Sequence, residues 1–277
     1  MRVVVVPYDS GHRGVRMGSG PEHFVDNGLS DALMKTADVV GVGVLESRSL
    51  FPAEVSVAFE LDSLIAREVR DCRRRGDFPL VLSGNCNNSI GTMAGVGCRG
   101  LGVVWLDGHV DFNLPETTTT GFSDNMGLSI AVGHCWGGMA AQVPDFSPVE
   151  ESNVIVVGPR EIEAAEQIRL DDSDIALFRA CSLKDREGEA RLERALNGLG
   201  KHTRGVYLHL DLDPELVGLA NEFAPASGLT EREAERIIHL VKKHCEILAV
   251  GIASYDPALD HDDNVLHAGI RLVRGLP

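Results

Sequence analysis

Seven short apolar runs punctuate the chain: Val3–Pro7, Val39–Val44, Leu80–Leu82, Val103–Leu106, Val154–Val157, Gly205–Leu210 and Ile247–Gly251. They are short and rich in Val, as strands buried on both faces are. Between them the period changes. Leu61, Leu64, Ile65, Val69 and Cys72 recur at spacings of three and four. Ala234, Ile237, Ile238, Val241 and Cys245 do the same within Thr230 to Leu248. That spacing gathers apolar side chains on one face of a helix. Strands alternating with helices predict an α/β fold with a mostly parallel sheet covered on both faces. No composition break or internal repeat divides residues 1–277, so one domain is expected.

Composition narrows the reading. The chain is 44% hydrophobic, enough for a large core, which excludes disorder. Its 41 acidic residues outnumber 26 basic ones, a formal charge of −15. A field of that sign repels nucleic acids and anionic bilayers, so neither is an expected partner. No apolar run reaches the roughly 18 residues that span a membrane. Met1-Arg2-Val3-Val4-Val5-Val6-Pro7 reads as a first strand rather than a signal peptide. The six cysteines are scattered, with no CxxC pair. That excludes a zinc ribbon and suits a reducing compartment, so a cytoplasmic protein is expected.

In parallel α/β sheets, ligands bind beyond the carboxyl ends of the strands. Four such ends are polar or acidic here: Gly84–Asn88, Asp107–Asn113, Gly158–Glu163 and Asp211–Pro214. In extended chain, residues two apart point the same way. Asp107, His109 and Asp111 can therefore converge, and Asp211 and Asp213 repeat the device. Turns and helix caps also favour Asp, but two such segments at two strand ends make that the weaker reading. Four carboxylates gathered in one place repel one another and drive their pKa values up. Two divalent cations would balance their charge. Carboxylate and imidazole ligands suit Mn²⁺, and a metal pair can activate a shared water. The residues alone thus predict a two-metal hydrolase.

The same segments resemble the ureohydrolases, the arginase and agmatinase family. Asp107-Gly-His-Val-Asp111 is similar to its DAHxD motif, and Asp211-Leu-Asp213 with Pro214 to its DxD strand end. Gly84-Asn85-Cys86 stands where the family has GGDH. Gly158-Pro-Arg160-Glu-Ile-Glu163 resembles GLRDVD, Gly228-Leu-Thr-Glu-Arg-Glu233 resembles GLTYREG, and the Gly14-Val15 and Gly20-Pro21 loop resembles GGV…GP. The resemblance runs almost end to end and implies a three-layer α-β-α fold, two Mn²⁺ ions and a small guanidino amino acid as substrate. It implies Cys86, Asp107, His109, Asp111, Asp211 and Asp213 as metal ligands. It further implies Asp111 as a proton carrier and Glu233 facing the guanidino group. Asn113 and Thr120 would meet the α-carboxylate and Glu163 the α-amino group, with Arg160 supporting its loop. Relatives often form homo-oligomers, though no interface is legible in this sequence.

Two departures matter. Cys86 replaces a ligand histidine, and Gly121-Phe-Ser-Asp-Asn-Met-Gly127 replaces the family's SGNLHG loop, which places Asp124 or Met126 where a second histidine stands. His134 is a poor substitute. A thiolate is softer than imidazole, which predicts an asymmetric site with one labile ion. Loss of two imidazoles disfavours arginine. An N-hydroxylated guanidinium is a weaker base and a more reactive electrophile. The cysteine is similar to that of the family's hydroxyarginine hydrolases in D-cycloserine-type antibiotic biosynthesis. The expected reaction is cleavage of N-omega-hydroxy-L-arginine to L-ornithine and hydroxyurea. The alternative is an arginase, agmatinase or formimidoyl hydrolase. His202, His209, His239, His244, His261 and His267 carry no motif and read as ordinary histidines. Asp260-His-Asp-Asp263 reads as a solvated loop.

Overall fold

The computed structural model describes residues 1–35, 39–49, 53–160, 162–212 and 229–276. The chain opens with β1 (Arg2–Val6), a small hairpin of β2 (Tyr8–Asp9) and β3 (His12–Arg13), then α1 (Gly20–Asp26) and α2 (Leu29–Leu33). It continues with β4 (Gly41–Val44), α3 (Glu54–Arg74), β5 (Pro79–Ser83), α4 (Ser89–Val96) and β6 (Gly102–Leu106). Short helices α5 (Gly127–Ala131) and α6 (Gly137–Ala140) precede β7 (Val154–Val157), α7 (Ala164–Asp171) and β8 (Ala176–Phe178). The last third holds α8 (Arg186–His202), β9 (Val206–Asp211), α9 (Glu231–His244), β10 (Ile247–Ala253) and α10 (Asn264–Arg274).

Eight strands form one parallel sheet in the order β4-β1-β5-β10-β9-β6-β7-β8. Alternation sends successive side chains to opposite faces. On one face Val3, Val5, Leu80, Leu82, Leu208 and Leu210 pack against Phe24, Leu29, Leu196, Ile237 and Ile270 of α1, α2, α8, α9 and α10. On the other, Val103, Trp105, Val156 and Tyr207 meet Ile90, Met93 and Leu128 of α4 and α5, while Val4, Val6 and Val81 meet Leu61, Ile65 and Val69 of α3. The result is the three-layer α-β-α fold expected from the sequence.

All seven apolar runs contain strands, with ends shifted by a few residues. The periodic stretch from Thr230 to Leu248 divides. The basic last turn of α9, Lys242-Lys243-His244, suits the negative end of the helix dipole. Cys245 is already extended, and Leu248 belongs to β10.

Candidate metal centre

The four middle strands β5, β10, β9 and β6 are neighbours, and their carboxyl ends open on one side of the sheet. They deliver Cys86, Ser254, Asp211 and Asp107 to one place. Gly84 lets the turn after β5 approach the amino-terminal segment, because a Cβ there would collide with the Tyr8 carbonyl and with Gly18. On β6 and β9 the period of two puts Trp105 beside Asp107, and Tyr207 and His209 beside Asp211. Trp105 and His209 are register partners. Their rings stack with centroids 3.8 Å apart and planes 19° apart.

The polar contacts are specific. Asp107 Oδ2 accepts from Trp105 Nε1 at 2.9 Å, and Oδ1 accepts from the His109 amide at 2.7 Å. His109 Nδ1 lies 3.6 Å from Asp107 Oδ1. The Cys86 thiol donates to Asp211 Oδ2 at 3.3 Å and lies 3.3 Å from Ser254 Oγ. Asp111 adopts a left-handed backbone with φ 52°. Asp tolerates that conformation better than most residues, and it still costs on the order of 1 kcal/mol. The Leu128 and Ser129 amides at the start of α5 hold it by donating to the Asp111 carbonyl at 3.0 and 3.2 Å. Asp111 Oδ2 is buried and has no hydrogen-bond partner among the described residues.

A cavity of about 230 Å³ opens onto these groups. Cys86, His109, Asp111, Asp211 and Ser254 form its floor. Asn113, Thr120, Asn125 and Glu163 line it from the loops, and Met17, Phe122, Asp124 and Glu166 complete the wall. Asp107 is buried beside His109 and the floor rather than on the cavity surface. Asp124 Oδ1 accepts from the Asn87 amide at 3.0 Å and Oδ2 from Asn85 Nδ2 at 3.0 Å. Asn85 Nδ2 also reaches Asp9 Oδ1 at 3.4 Å, and Arg16 Nε donates to Asp9 Oδ2 at 2.8 Å.

Crowding shifts the titrations. Burial, then the charges of Asp107, Asp124, Asp211 and Glu166, hold the Asp111 carboxyl well above the usual range. Burial pushes Asp124 up to about 7 against its amide donors. Burial also raises Asp107, but the side chain and amide of His109 outweigh it and leave that carboxyl below its usual value. Burial and the carboxylates of Asp211, Asp124, Asp111 and Asp107 raise the Cys86 thiol far above its usual value. Burial lowers His209 to about 4, with Asp107 opposing.

Among the described residues, two groups of side chains converge as cation ligands: Cys86, Asp107 and His209, and Asp107, His109 and Asp211, with ligand atoms in each within 4.8 Å of one another. Shared Asp107 joins them into a candidate dinuclear cluster. The raised carboxyls and the orphaned Asp111 oxygen fit divalent cations, whose charge would reverse those shifts.

The structure brings Cys86, Asp107, His109, Asp111, Asp211, Asn113, Thr120 and Glu163 to this cavity or its floor. Asp213, with Pro214 and Gly228, lies outside the described residues. Glu233 is placed elsewhere. It closes a capping box with Thr230, accepting from the Thr230 amide at 2.8 Å, and binds Lys184 Nζ at 3.0 and 3.2 Å. It caps α9 and is not among the described residues that line the cavity. Glu163 caps α7 yet still faces the cavity, and Thr119 Oγ1 donates to it at 3.3 Å. The Arg160 amide donates to the Gly108 carbonyl at 2.9 Å, joining two loops of the site. At the altered loop Asp124 faces the cavity while Met126 packs into the core. His134 points away, with Nε2 2.9 Å from Glu151. Sequence reasoning missed His209, Ser254 and Glu166. Glu166 is buried and accepts from the Phe112 amide at 2.9 Å.

Known proteins complete the assignment. The model of the arginase family matches residues 1–276, and the chain belongs to that family. It is similar to an arginase of Bacillus caldovelox, at 30% identity over 78% of this chain and 74% of that one. It is similar to an arginase of Bacillus subtilis, at 27% identity over 99% and 96%. A crystal structure of arginase from Bacillus cereus superposes with a TM-score of 0.88 at 25% identity, covering 99% of this chain and 97% of that chain. The protein is a metal-dependent amidinohydrolase, a ureohydrolase that acts on a guanidino or amidino group through a binuclear metal site. No helix among the described residues is long and apolar enough to cross a membrane.

Proposed function

We propose that the substrate is a guanidino α-amino acid, N-omega-hydroxy-L-arginine in the first place, cleaved to L-ornithine and hydroxyurea with two Mn²⁺ as cofactors. The observation that carries the hydroxylated substrate is that Cys86 and Asp124 both line the cavity, Cys86 at the position where the family resemblance implies a histidine and Asp124 in the loop where it implies the second. In the metal-free protein burial raises Asp124 to about 7, so its carboxyl exchanges a proton near neutral pH. A carboxyl of that kind can donate to or accept from an N-hydroxyl, which itself does both.

The rest of the cavity supports an α-amino acid. Glu163 offers a carboxylate for an ammonium group, and Asn113 and Thr120 offer neutral polar groups for a carboxylate. Asp107, His109, Asp111, Cys86 and Asp211 would hold the cations, together with Asp213. Bound there, the cations supply positive charge and a water acidic enough to act as nucleophile at neutral pH. Asp111, which lines the cavity and has an unsatisfied Oδ2, would take the proton of the attacking water and pass it to the departing ornithine nitrogen. L-Arginine is the second reading, favoured by the names of the curated relatives. The test is parallel ornithine release from both compounds by Mn²⁺-loaded protein. Strong preference for the hydroxylated one supports the proposal. Equal or faster turnover of arginine replaces it with the second reading.

A further inference from the structure

His209 has no assigned task in the scheme above, yet its surroundings fix it closely. It is 1% exposed. Tyr207 Oη lies 2.9 Å from Nδ1, and the Trp105 ring covers one face of the imidazole at 3.8 Å. Trp105 is itself fixed by its hydrogen bond to Asp107. The ring therefore cannot turn without breaking contacts on two sides. Its remaining nitrogen, Nε2, is buried with no hydrogen-bond partner among the described residues. An unsatisfied buried polar atom costs about 1–3 kcal/mol. Such an atom at the carboxyl end of a central strand calls for a ligand.

His209 also has company. One ligand atom each from His209, Cys86 and Asp107 lies within 4.8 Å of the others, and all three residues are buried. The three come from different segments: the end of β9, the turn after β5 and the end of β6. With Nδ1–H donating to Tyr207 Oη, the Nε2 lone pair is free for a cation. A partner on the other ring nitrogen is the usual way a ligating histidine is oriented.

We infer that His209 is a metal ligand, and that one of the two cation sites is a sulfur, nitrogen and oxygen site made by Cys86, His209 and Asp107. The imidazole missing from position 86 is thus supplied from β9, which lies beyond β10 from the strand that leads to Cys86. The mixed donor set sets a thiolate beside donors that are otherwise oxygen and imidazole, so the two sites are unequal in donor softness. This inference rests on the reading of Cys86 as a metal-side residue made under the proposed function.

The experiment replaces the bound ions with Co²⁺ and reads metal binding rather than turnover. Wild-type protein is expected to show the near-ultraviolet charge-transfer band of a cobalt thiolate, lost in Cys86→Ser. His209→Gln is expected to lower bound cobalt from about two ions per chain to about one, with the thiolate band lost or strongly reduced. His109→Gln is expected to keep that band. If His209→Gln does not fold, X-ray absorption of the wild-type cobalt protein decides instead. Ligation by both His109 and His209 gives an average of one imidazole per metal, whereas ligation by His109 alone gives half that. Absence of the thiolate band in the wild type overturns the inference. So does a folded His209→Gln variant that keeps both ions and an unchanged band, or the lower imidazole average. Failure of the substrate reading would look different. The band and imidazole count would be present while neither arginine nor its N-hydroxy derivative was cleaved.

Discussion

Two acidic runs of similar composition end up with different fates. Asp107-Gly-His-Val-Asp111 and Asp260-His-Asp-Asp263 each combine aspartates with one histidine. In the second, the carboxylates are satisfied separately. Asp260 Oδ2 accepts from Tyr255 Oη at 3.2 Å and from the Leu266 amide at 3.0 Å, and Asp263 faces His23 Nε2 at 3.6 Å. Asp260 is buried rather than solvated, and it ties Tyr255 to the first turn of α10. In the first run Asp107 is held by Trp105 and the His109 amide, whereas Asp111 meets the charges of Asp107, Asp124 and Asp211 and keeps an unsatisfied oxygen. Acidity does not mark a cation site. Buried acids gathered from the ends of adjacent strands, with an oxygen left unsatisfied, do.

The largest expected contrast comes from breaking one member of each run. Asp107→Asn should lose at least one metal ion and lower turnover by more than roughly 100-fold, since even outer-shell changes cost 10–100-fold. Asp260→Ala should leave metal content and turnover near wild type while removing about 1–3 kcal/mol of stability. Elemental analysis and thermal melts separate the two. Removal of metal from the wild type comes next. A chelator should abolish turnover and lower stability by about 2.7 kcal/mol relative to protein at a hundred times the dissociation constant. The Asp260 variant should lose a similar increment, because its lesion is independent of the cluster.

A smaller effect separates two buried groups in the metal-free protein. His209 titrates near about 4 in the folded chain, below its usual value of 6.5. As pH falls through that interval the unfolded chain takes up a proton that the folded chain refuses, so stability is lost on acidification. Asp124 is raised from 3.8 to about 7, so the folded chain keeps a proton that the unfolded chain has released. That contribution is lost as pH rises. The two slopes oppose each other over much of the same range. Asp124→Asn should therefore make the metal-free protein lose more stability between near pH 7 and near pH 5 than the wild type does. His209→Gln should shift the difference the other way. Melts of metal-free variants at both pH values check the sign.

The smallest effect concerns Glu233. Glu233→Ala should cost about 1 kcal/mol through the lost cap of α9 and leave KM unchanged. A large rise in KM would return Glu233 to the substrate.

The strands and the order of the layers were legible because buried parallel strands are continuous apolar runs. β8 was not, since Ala176-Leu177-Phe178 is three residues long and follows an Asp-rich turn. Asp107, His109, Asp111 and Asp211 were legible from their period of two. The same period places His209 two residues before Asp211, and the signal was passed over because a histidine inside an apolar strand looks like core. Glu233 is ambiguous for a related reason. Thr230-Glu-Arg-Glu233 carries both a capping box and a family motif, and only coordinates show that the cap engages its carboxylate. Asp124 and Met126 were indistinguishable in the loop until packing sent one to the cavity and the other to the core.

The most direct test is metal stoichiometry by equilibrium dialysis against Mn²⁺ for wild type, Asp211→Asn and Asp260→Asn. The expected result is about two ions per chain in the wild type and the Asp260 variant, with binding lost or reduced to a weak single ion in the Asp211 variant. A wild type that binds none, or an Asp211 variant that retains both, would contradict a binuclear centre built on these strand ends.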